Sequence, residues 1–416
     1  MKWLVFTKSA ISFAGIILAA TAFASDISLR ERTLRDSAID NGFIDPEQLS
    51  PEVNEFVVRA GELLFESTIL SFNGDISCSS CHLDEFGSAD GLRVAIGVLG
   101  EGSGVARSSS DGLVVPRNTL PLWGRGAPGF TTFFWDGKVD VVDGQVTSQF
   151  GNSAPSEDPL VVAAHLPLVQ VREMLLDDAE VSSEFLTESV DSANAIFSQI
   201  SERVAQDEQL GQALAAAFDI EGNQIEVEHI TEALAAFIRH RFQLRRSRFS
   251  EFLVGRGSLS EDEIRGGLLF YGKGRCAGCH NGPFYSDLEF HAVPFPQSGF
   301  GINGFGVDYG RFNVTLRSED VYRFRTPPLW QVSETAPYGH SGSADTIEQA
   351  IRYHFDPLYD FHSEDLSDRD RVEFYRRLTA IDRSILGIPY LSNEEVDLLV
   401  SYLHTLTFLG EDSDRE

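Results

Sequence analysis

The 416-residue chain carries 63 acidic against 33 basic side chains, a net charge of −30, and 42% of its residues are hydrophobic. Such a surface repels nucleic acid and anionic lipid, which excludes both as partners. The length suffices for two or three domains.

Residues 1–24 open with Lys2 and Lys8, continue through an apolar run from Ala10 to Ala20, and end on Ala22-Phe23-Ala24. This is the pattern of a secretory signal peptide, with Ser25 as the first mature residue. The apolar run is shorter than the roughly 20 residues a membrane span requires. The mature chain is therefore expected to be exported, without a membrane span after signal cleavage, and to reside in a bacterial periplasm.

Two Cys-x-x-Cys-His pentads follow, Cys78-Ser79-Ser80-Cys81-His82 and Cys276-Ala277-Gly278-Cys279-His280, and they hold all four cysteines. The pentad is the attachment signature of c-type haem. Two thiols bond to the haem edge and the adjoining histidine is the proximal iron ligand. Disulfides or a zinc site are the alternatives, but a closed tetrahedral zinc site leaves ligands over. Each pentad follows a related segment: Gly61-Glu62-Leu63-Leu64-Phe65 before the first, Gly266-Gly267-Leu268-Leu269-Phe270 before the second. The shared Gly-x-Leu-Leu-Phe marks an internal repeat of helix plus haem-attachment loop.

Between and after the pentads, apolar residues recur at three- and four-residue spacing over Val161–Leu176, Ser192–Phe218 and Val227–Arg246, predicting helices. The polar, basic stretch Arg245–Ser258 is read as the boundary, and Phe295–Asp308, rich in Gly and Pro, as a long loop. A helical segment starts near Thr346 and ends at Arg352-Tyr353-His354-Phe355. The last helix begins at Leu391, capped by Ser392 or Asn393, with Val396, Leu399, Val400 and Leu403 on one face. The fold expected is mostly α, two cytochrome c-like haem domains with long irregular loops. The first covers 25–250, the second 251–409, and an acidic tail 410–416 follows.

Function turns on the face of each haem opposite its proximal histidine. No histidine or methionine lies between His82 and His165, and the sole methionine after the signal peptide is Met174. The first haem is thus expected to keep an open position where peroxide can bind. For the second haem no methionine is at hand, which leaves His291, His340, His354, His362 and Tyr353, with His354 best placed. Nitrogen or oxygen ligation there lowers the reduction potential relative to a thioether.

With both pentads, Phe133-Phe134-Trp135-Asp136-Gly137 and the run from Arg325-Thr326-Pro327-Pro328-Leu329 to Thr335-Ala336-Pro337-Tyr338-Gly339-His340-Ser341-Gly342, the chain resembles the bacterial di-haem cytochrome c peroxidase and MauG family. The resemblance implies two covalently attached c-type haems and a calcium ion between them. It gives Trp135 the place of the tryptophan between the haems, and Gln145 that of the distal-pocket glutamine. Glu173 takes that of the distal glutamate acting on peroxide, displaced by an insertion across 147–166. Asn118, with the main-chain oxygens of Thr335 and Pro337, resembles the calcium ligands. His340 matches a histidine near the first haem, and Phe290-His291 a motif near the second. His354 falls where the peroxidases carry Met and MauG carries Tyr. Without the family, Trp135 reads as a core aromatic and Glu173 as a solvated acid.

Two departures matter. Ordinary peroxidases of the family carry a distal histidine near the position of Val98, which MauG-like members lack. Trp330-Gln331 stands where many relatives have Arg-Asn. Segments such as Ala336–Gly342 and Arg352–Pro357 look most like MbnH-type members, which oxidise a tryptophan in a copper-binding partner. The expected function is a MauG-like oxidase that takes hydrogen peroxide and oxidises residues of a protein substrate through a high-valent state of both haems. The alternatives are a peroxidase drawing electrons from a small cytochrome or cupredoxin, and a non-catalytic di-haem electron carrier.

Overall fold

The computed structural model describes residues 28–150, 156–176, 189–362 and 366–410. The signal segment and most of the acidic tail lie outside them. The described chain is mostly helical. In its first half it forms α1 (Leu29–Asp40), α2 (Glu55–Glu66), α3 (Pro159–Leu168), α4 (Val190–Gln206), α5 (Glu208–Phe218) and α6 (Val227–Arg241). Then come α7 (Arg248–Leu253), α8 (Glu261–Tyr271), α9 (Phe312–Thr315), α10 (Ile347–Phe355), α11 (Asp368–Ala380), α12 (Arg383–Leu386) and α13 (Asn393–His404). Strands are short antiparallel pairs: β1 (Asp140–Val142) with β2 (Gln145–Thr147), β3 (Phe290–His291) with β6 (Phe324–Arg325), and β4 (Phe300–Gly301) with β5 (Gly304–Phe305). Among the described residues no helix is long and apolar enough to cross a membrane.

The repeat seen in the sequence is a repeat of packing. In the first half α2 crosses α6, and in the second α8 crosses α13. Each crossing is closest at the first glycine of Gly-x-Leu-Leu-Phe. A Cβ on Gly61 would lie 1.9 Å from the Ala233 carbonyl oxygen, and one on Gly266 1.9 Å from that of Leu398. Only glycine permits such backbone approach. Four residues on, Phe65 meets Phe237 at 5.0 Å between ring centres, and Phe270 meets Tyr402 at 5.2 Å. Apolar faces close each pair: Ile230, Ala233 and Leu234 on α6, Val396, Leu399 and Leu403 on α13, all buried. Burial of each large side chain contributes about 1.5–3 kcal/mol.

Several expectations shift. The segment 192–218 is two helices, because Asp207 leaves the helical path and caps α5 through Gln209 and Leu210. The helix at 161–176 ends at Leu168, so Glu173 sits in a loop. The boundary stretch 245–258 is no free linker: α7 lies inside it, with Phe249 and Phe252 fully buried. Within 295–308, β4 and β5 form a small hairpin. Helix α1, expected with the first domain, packs against α8, where its buried Leu34 sits beside Gly267. The chain end runs the other way. The Leu409 N–H donates to the Arg246 carbonyl at 2.8 Å, and Phe408 packs edge-on to Trp123. The two units therefore share termini rather than meeting as separate beads.

Candidate haem sites

Both pentads fold as a single 3-10 turn, Cys78–Ser80 and Cys276–Gly278, which turns two cysteines and the next histidine toward one side. The Nδ1 of His82 lies 2.9 Å from the Ser88 carbonyl oxygen, and that of His280 3.0 Å from the Tyr285 carbonyl oxygen. A carbonyl only accepts, so each Nδ1 carries the proton and Nε2 keeps its lone pair for a metal. Ser88 and Tyr285 both hold positive φ, 66° and 52°, which aims their carbonyls inward. Burial lowers both imidazoles to about 4, so both are neutral, as a ligand must be. Burial, with Glu173 as the next cause, pushes the Cys78 thiol up to about 12. Cys81 is raised to about 12 by burial, then by Asp90, with a smaller share from Glu173.

At the second site, α10 presents His354 opposite His280, with ring centres 6.3 Å apart. Two metal–nitrogen bonds of about 2 Å, plus the distance from each nitrogen to its ring centre, span about that gap. His354 Nδ1 donates to the Ala350 carbonyl at 2.8 Å, which again frees Nε2. Neighbouring Tyr353 turns away to pack on Phe295 and Tyr359. The rings face an apolar cavity of about 220 Å³ lined also by Cys276, Cys279 and Trp330. Two buried arginines, Arg125 and Arg325, line it without an ion pair among the described residues. Burial depresses both guanidiniums, Arg325 to about 9, and Arg325 Nη2 has no hydrogen-bond partner. Unpaired buried cations and an apolar slot between two imidazoles fit a haem with its propionates. Sequence reading missed both arginines as site residues. Arg325 stood in a quoted motif and Arg125 between Gly124 and Gly126, but neither had an anionic neighbour in sequence.

The first site is built differently. The nearest aromatic ring to His82 is Phe65 at 6.3 Å, and among the described residues no imidazole faces it. His165 lies elsewhere, edge-on to Phe197, with Nδ1 donating to the Val161 carbonyl. Glu173 lies close enough to raise both Cys78 and Cys81, so the structure brings it to this site. Its loop is clamped on both sides: the Val98 N–H donates to the Arg172 carbonyl at 3.0 Å, and the Phe72 N–H to that of Met174 at 2.9 Å. A Cβ on Gly97 would lie 1.7 Å from the Arg172 carbonyl oxygen, so that loop needs glycine opposite it. Burial raises the Glu173 carboxyl above the ordinary glutamate range, and Lys138 opposes this only in part.

Gln145 is not brought to either site. It is exposed on β2, just past the tight turn at Asp143-Gly144, paired with Val142. Both turn residues hold positive φ, 52° and 77°, the Asp-Gly hairpin geometry that projects a ribbon into solvent. Gln170 instead lies in the Glu173 loop and accepts from Lys138 Nζ at 2.8 Å. Trp135 is buried on the cavity wall, and its Nε1 donates to the Asn118 carbonyl at 2.9 Å. Asn118, Thr335 and Pro337 line the same cavity. The Asn118 side-chain NH₂ donates to the Leu92 carbonyl at 2.7 Å, which leaves its Oδ1 unused by that bond. His340, expected near the first haem, lines the cavity that holds His280 and His354. Its ring stacks on Phe324 at 3.7 Å, and Nε2 meets Gln297 Oε1 at 2.8 Å. His291 lies on that wall as expected, between Asp287 at 2.9 Å and Asp382 at 3.1 Å.

The profile of the di-haem cytochrome c peroxidase family matches residues 56–258. The methylamine utilization protein MauG of Methylorubrum extorquens is 25% identical over 391 residues, 89% of this chain and 91% of its own. Cytochrome c551 peroxidase of Nitrosomonas europaea is 26% identical over 308 residues, 73% of each chain. Among solved structures, that of a MauG-like protein associated with microbial copper homeostasis is similar with a TM-score of 0.63 and 25% identity, covering 86% of this chain and 91% of that one. With two neutral histidines beside paired cysteines and an apolar cavity between His280 and His354, the chain belongs to the di-haem cytochrome c peroxidase family, peroxide-using oxidoreductases that carry two c-type haems.

Proposed function

We propose that the protein uses hydrogen peroxide to oxidise residues of a partner protein, as MauG-like members do. One observation carries the reading: an imidazole faces His280, whereas none among the described residues faces His82, where the half-buried Glu173 lies instead. A haem held by His82 would then offer an open face to peroxide, and one held by His280 would be closed by His354. The similarity to MauG along nearly the whole of both chains supports the same branch. A partner concerned with copper handling is the first to test, given the similar MauG-like structure.

Bound haem supplies the iron that accepts peroxide oxygen and stores the oxidising equivalents. The chain's own residues do the rest. Glu173, with its pKa raised, takes a proton from the near oxygen of peroxide and returns it to the far one, which makes water the leaving group. Positioned acid–base catalysis of this kind is worth roughly 10²–10⁴-fold. The clamped 170–175 loop holds the carboxyl in place. Exposed Gln145 has no part in this step. Trp135, buried on the wall of the cavity that holds His280 and His354, is the residue that would carry electrons between the two haems. Asn118, Thr335 and Pro337, which line the same cavity, are the residues that would hold a calcium ion, and the Asn118 carbonyl accepts from Trp135. His340, neutral because burial lowers it to about 3, fixes the wall between Phe324 and Gln297. The signal peptide delivers the chain to the periplasm, where haem is attached.

The test is peroxide added to the as-isolated ferric protein, followed by absorption and EPR spectroscopy. A long-lived oxidised species formed without prior reduction, and discharged faster by a partner protein, is the expected result. Inertness until one haem is reduced, followed by rapid turnover with a reduced small cytochrome or cupredoxin, would replace this reading with the electron-consuming peroxidase.

A further inference from the structure

The internal repeat allows a comparison between the two haem units, position by position. Tyr402 on α13 occupies the place of Phe237 on α6: their Cβ atoms are the side-chain neighbours of Gly266 and Gly61, at 2.9 and 2.8 Å from a built Cβ. Tyr271 follows Phe270 as Glu66 follows Phe65. Tyr285 gives its carbonyl to His280 as Ser88 gives its own to His82. Packing around the first haem is thus achieved with Phe, Glu and Ser at these positions. The second haem unit has three tyrosines.

These tyrosines converge. Tyr285 is buried, and its hydroxyl finds no well-formed hydrogen bond although it lies beside those of Tyr271 and Tyr402. The Tyr402 and Tyr271 hydroxyls are 3.3 Å apart. Burial holds the Tyr285 and Tyr402 phenols far above their ordinary range, so both are neutral donors of an electron rather than phenolates. Sheltering the imperfectly bonded Tyr285 phenol costs stability, and Phe237 shows that the place of Tyr402 can be filled without a hydroxyl. At the other end, Tyr285 meets Trp330 edge-on at 5.1 Å. Trp330 lines the cavity beside His280 and Cys276, and its Nε1 donates to the Pro283 carbonyl at 2.8 Å. Tyr271 is only half-buried.

We infer that Trp330, Tyr285, Tyr402 and Tyr271 form an electron-transfer chain that discharges the second haem to the protein surface when no partner is bound. The inference rests on peroxide-driven oxidation of the haem pair and is otherwise independent of which substrate is used. Reduction of peroxide to two waters withdraws two electrons from the enzyme and consumes two protons. One electron then passes from Trp330 to the oxidised second site. Trp330 keeps its indole proton, because a carbonyl is too weak a base to remove it. Tyr285 refills Trp330, Tyr402 refills Tyr285, and Tyr271 refills Tyr402, while the phenolic protons shift within the hydroxyl cluster and return. The net change is one electron gained by the second site and one electron lost from Tyr271. Tyr271 releases its phenolic proton to solvent and becomes a neutral tyrosyl radical. A one-electron reductant in solution, such as ascorbate, restores it.

The experiment uses the full di-haem protein, one equivalent of peroxide and no partner, with freeze-quenched EPR and absorption spectra in parallel. A tyrosyl radical is expected in the wild type, quenched by ascorbate. It is expected to vanish in Tyr271→Phe, while the oxidised haem spectrum forms at the normal rate and persists severalfold longer. Tyr402→Phe, which installs the residue found at the equivalent position in the first unit, and Trp330→Phe should lengthen the same lifetime. Peptide mass spectrometry should locate oxidative modification at Tyr271 in the wild type only. A normal haem response with no tyrosyl signal, or with a signal and lifetime unchanged in Tyr271→Phe and Tyr402→Phe, overturns the chain. Loss of the haem response itself in the wild type overturns the peroxide reading on which it rests.

Discussion

His354 stands across from His280 with ring centres 6.3 Å apart and planes inclined at 63°. Each ring is held by its own Nδ1 on a main-chain carbonyl, so neither can swing away cheaply. The pairing would give a haem bound here nitrogen on both faces. Replacing His354 by Met should raise the potential of that haem, within the roughly 0.8 V range that axial ligands span. His354→Ala should instead convert it to high spin. Potentiometric titration and EPR of the ferric protein check both. Potentials unchanged by either substitution would show that another side chain ligates this iron.

Much of this site was legible in the sequence, for a physical reason. Covalent haem attachment dictates a local spacing, so Cys78, Cys81, His82 and their counterparts can be read without the fold. His354 could be placed because it ends a capped helix whose start at Thr346 is itself a local signal. What depended on distant parts of the chain was not legible. The Asp143-Gly144 turn throws Gln145 outward, and only the pairing of β1 with β2 reveals it. The packing of α1 on α8 and the gathering of Arg125 with Arg325 likewise join segments far apart in sequence. Glu173 was reached through resemblance alone. The bonds that fix its loop come from Val98 and Phe72, remote positions with no polar side chain to advertise them.

The two glycines at the helix crossings should be equally intolerant of a methyl group. Gly61→Ala and Gly266→Ala each drive a Cβ to 1.9 Å from a carbonyl oxygen on the facing helix, a contact that forces the pair apart. Overpacking of this kind costs typically 1–3 kcal/mol, and backbone against backbone lies at the upper end, about 3 kcal/mol. Denaturant midpoints of the haem-loaded protein should fall by similar amounts in both variants. A neutral result at either position would mean that the crossing is looser than the structure has it.

Arg117 binds two buried carboxylates at once, Asp136 at 2.6 Å and Asp308 at 2.8 and 3.0 Å. It thereby ties the Trp135 loop to the Gly-rich segment before α9. Burial alone would raise the Asp308 carboxyl, but the charge and hydrogen bonds of Arg117 outweigh it and hold the group at about 2. A depressed carboxyl stabilises the fold above its unfolded value near 4, and that contribution disappears as pH falls from about 4 through 2. Arg117→Met leaves two buried charges without a partner and should cost about 3–5 kcal/mol at neutral pH. In that variant the Asp308 pKa should rise, so the acid-induced loss of stability from this group should shrink or reverse and the penalty of the substitution should diminish as pH falls from about 4 toward 2. Thermal melting between pH 2 and 7 distinguishes this from simple loss of packing, which would lower stability equally across the range.

Glu173 offers the sharpest test of the first haem. Its carboxyl is half-buried, its loop is bonded on both flanks, and burial raises its pKa above that of an ordinary glutamate. Glu173→Gln preserves shape and can still accept a hydrogen bond, but it cannot carry a proton from one peroxide oxygen to the other. Formation of the oxidised species should slow by roughly 10²–10⁴-fold, while the resting spectrum and the potential of the second haem stay as they are. The wild-type rate should climb with pH as the carboxylate forms, and that rise should lie above the usual glutamate range because the charged form is the one burial disfavours. The Gln variant should lack it. Stopped-flow mixing with peroxide across the acid range reads both effects. A Gln variant that keeps the wild-type rate and pH profile would remove Glu173 from the proton transfer and leave peroxide cleavage at this haem to groups on the opposite wall.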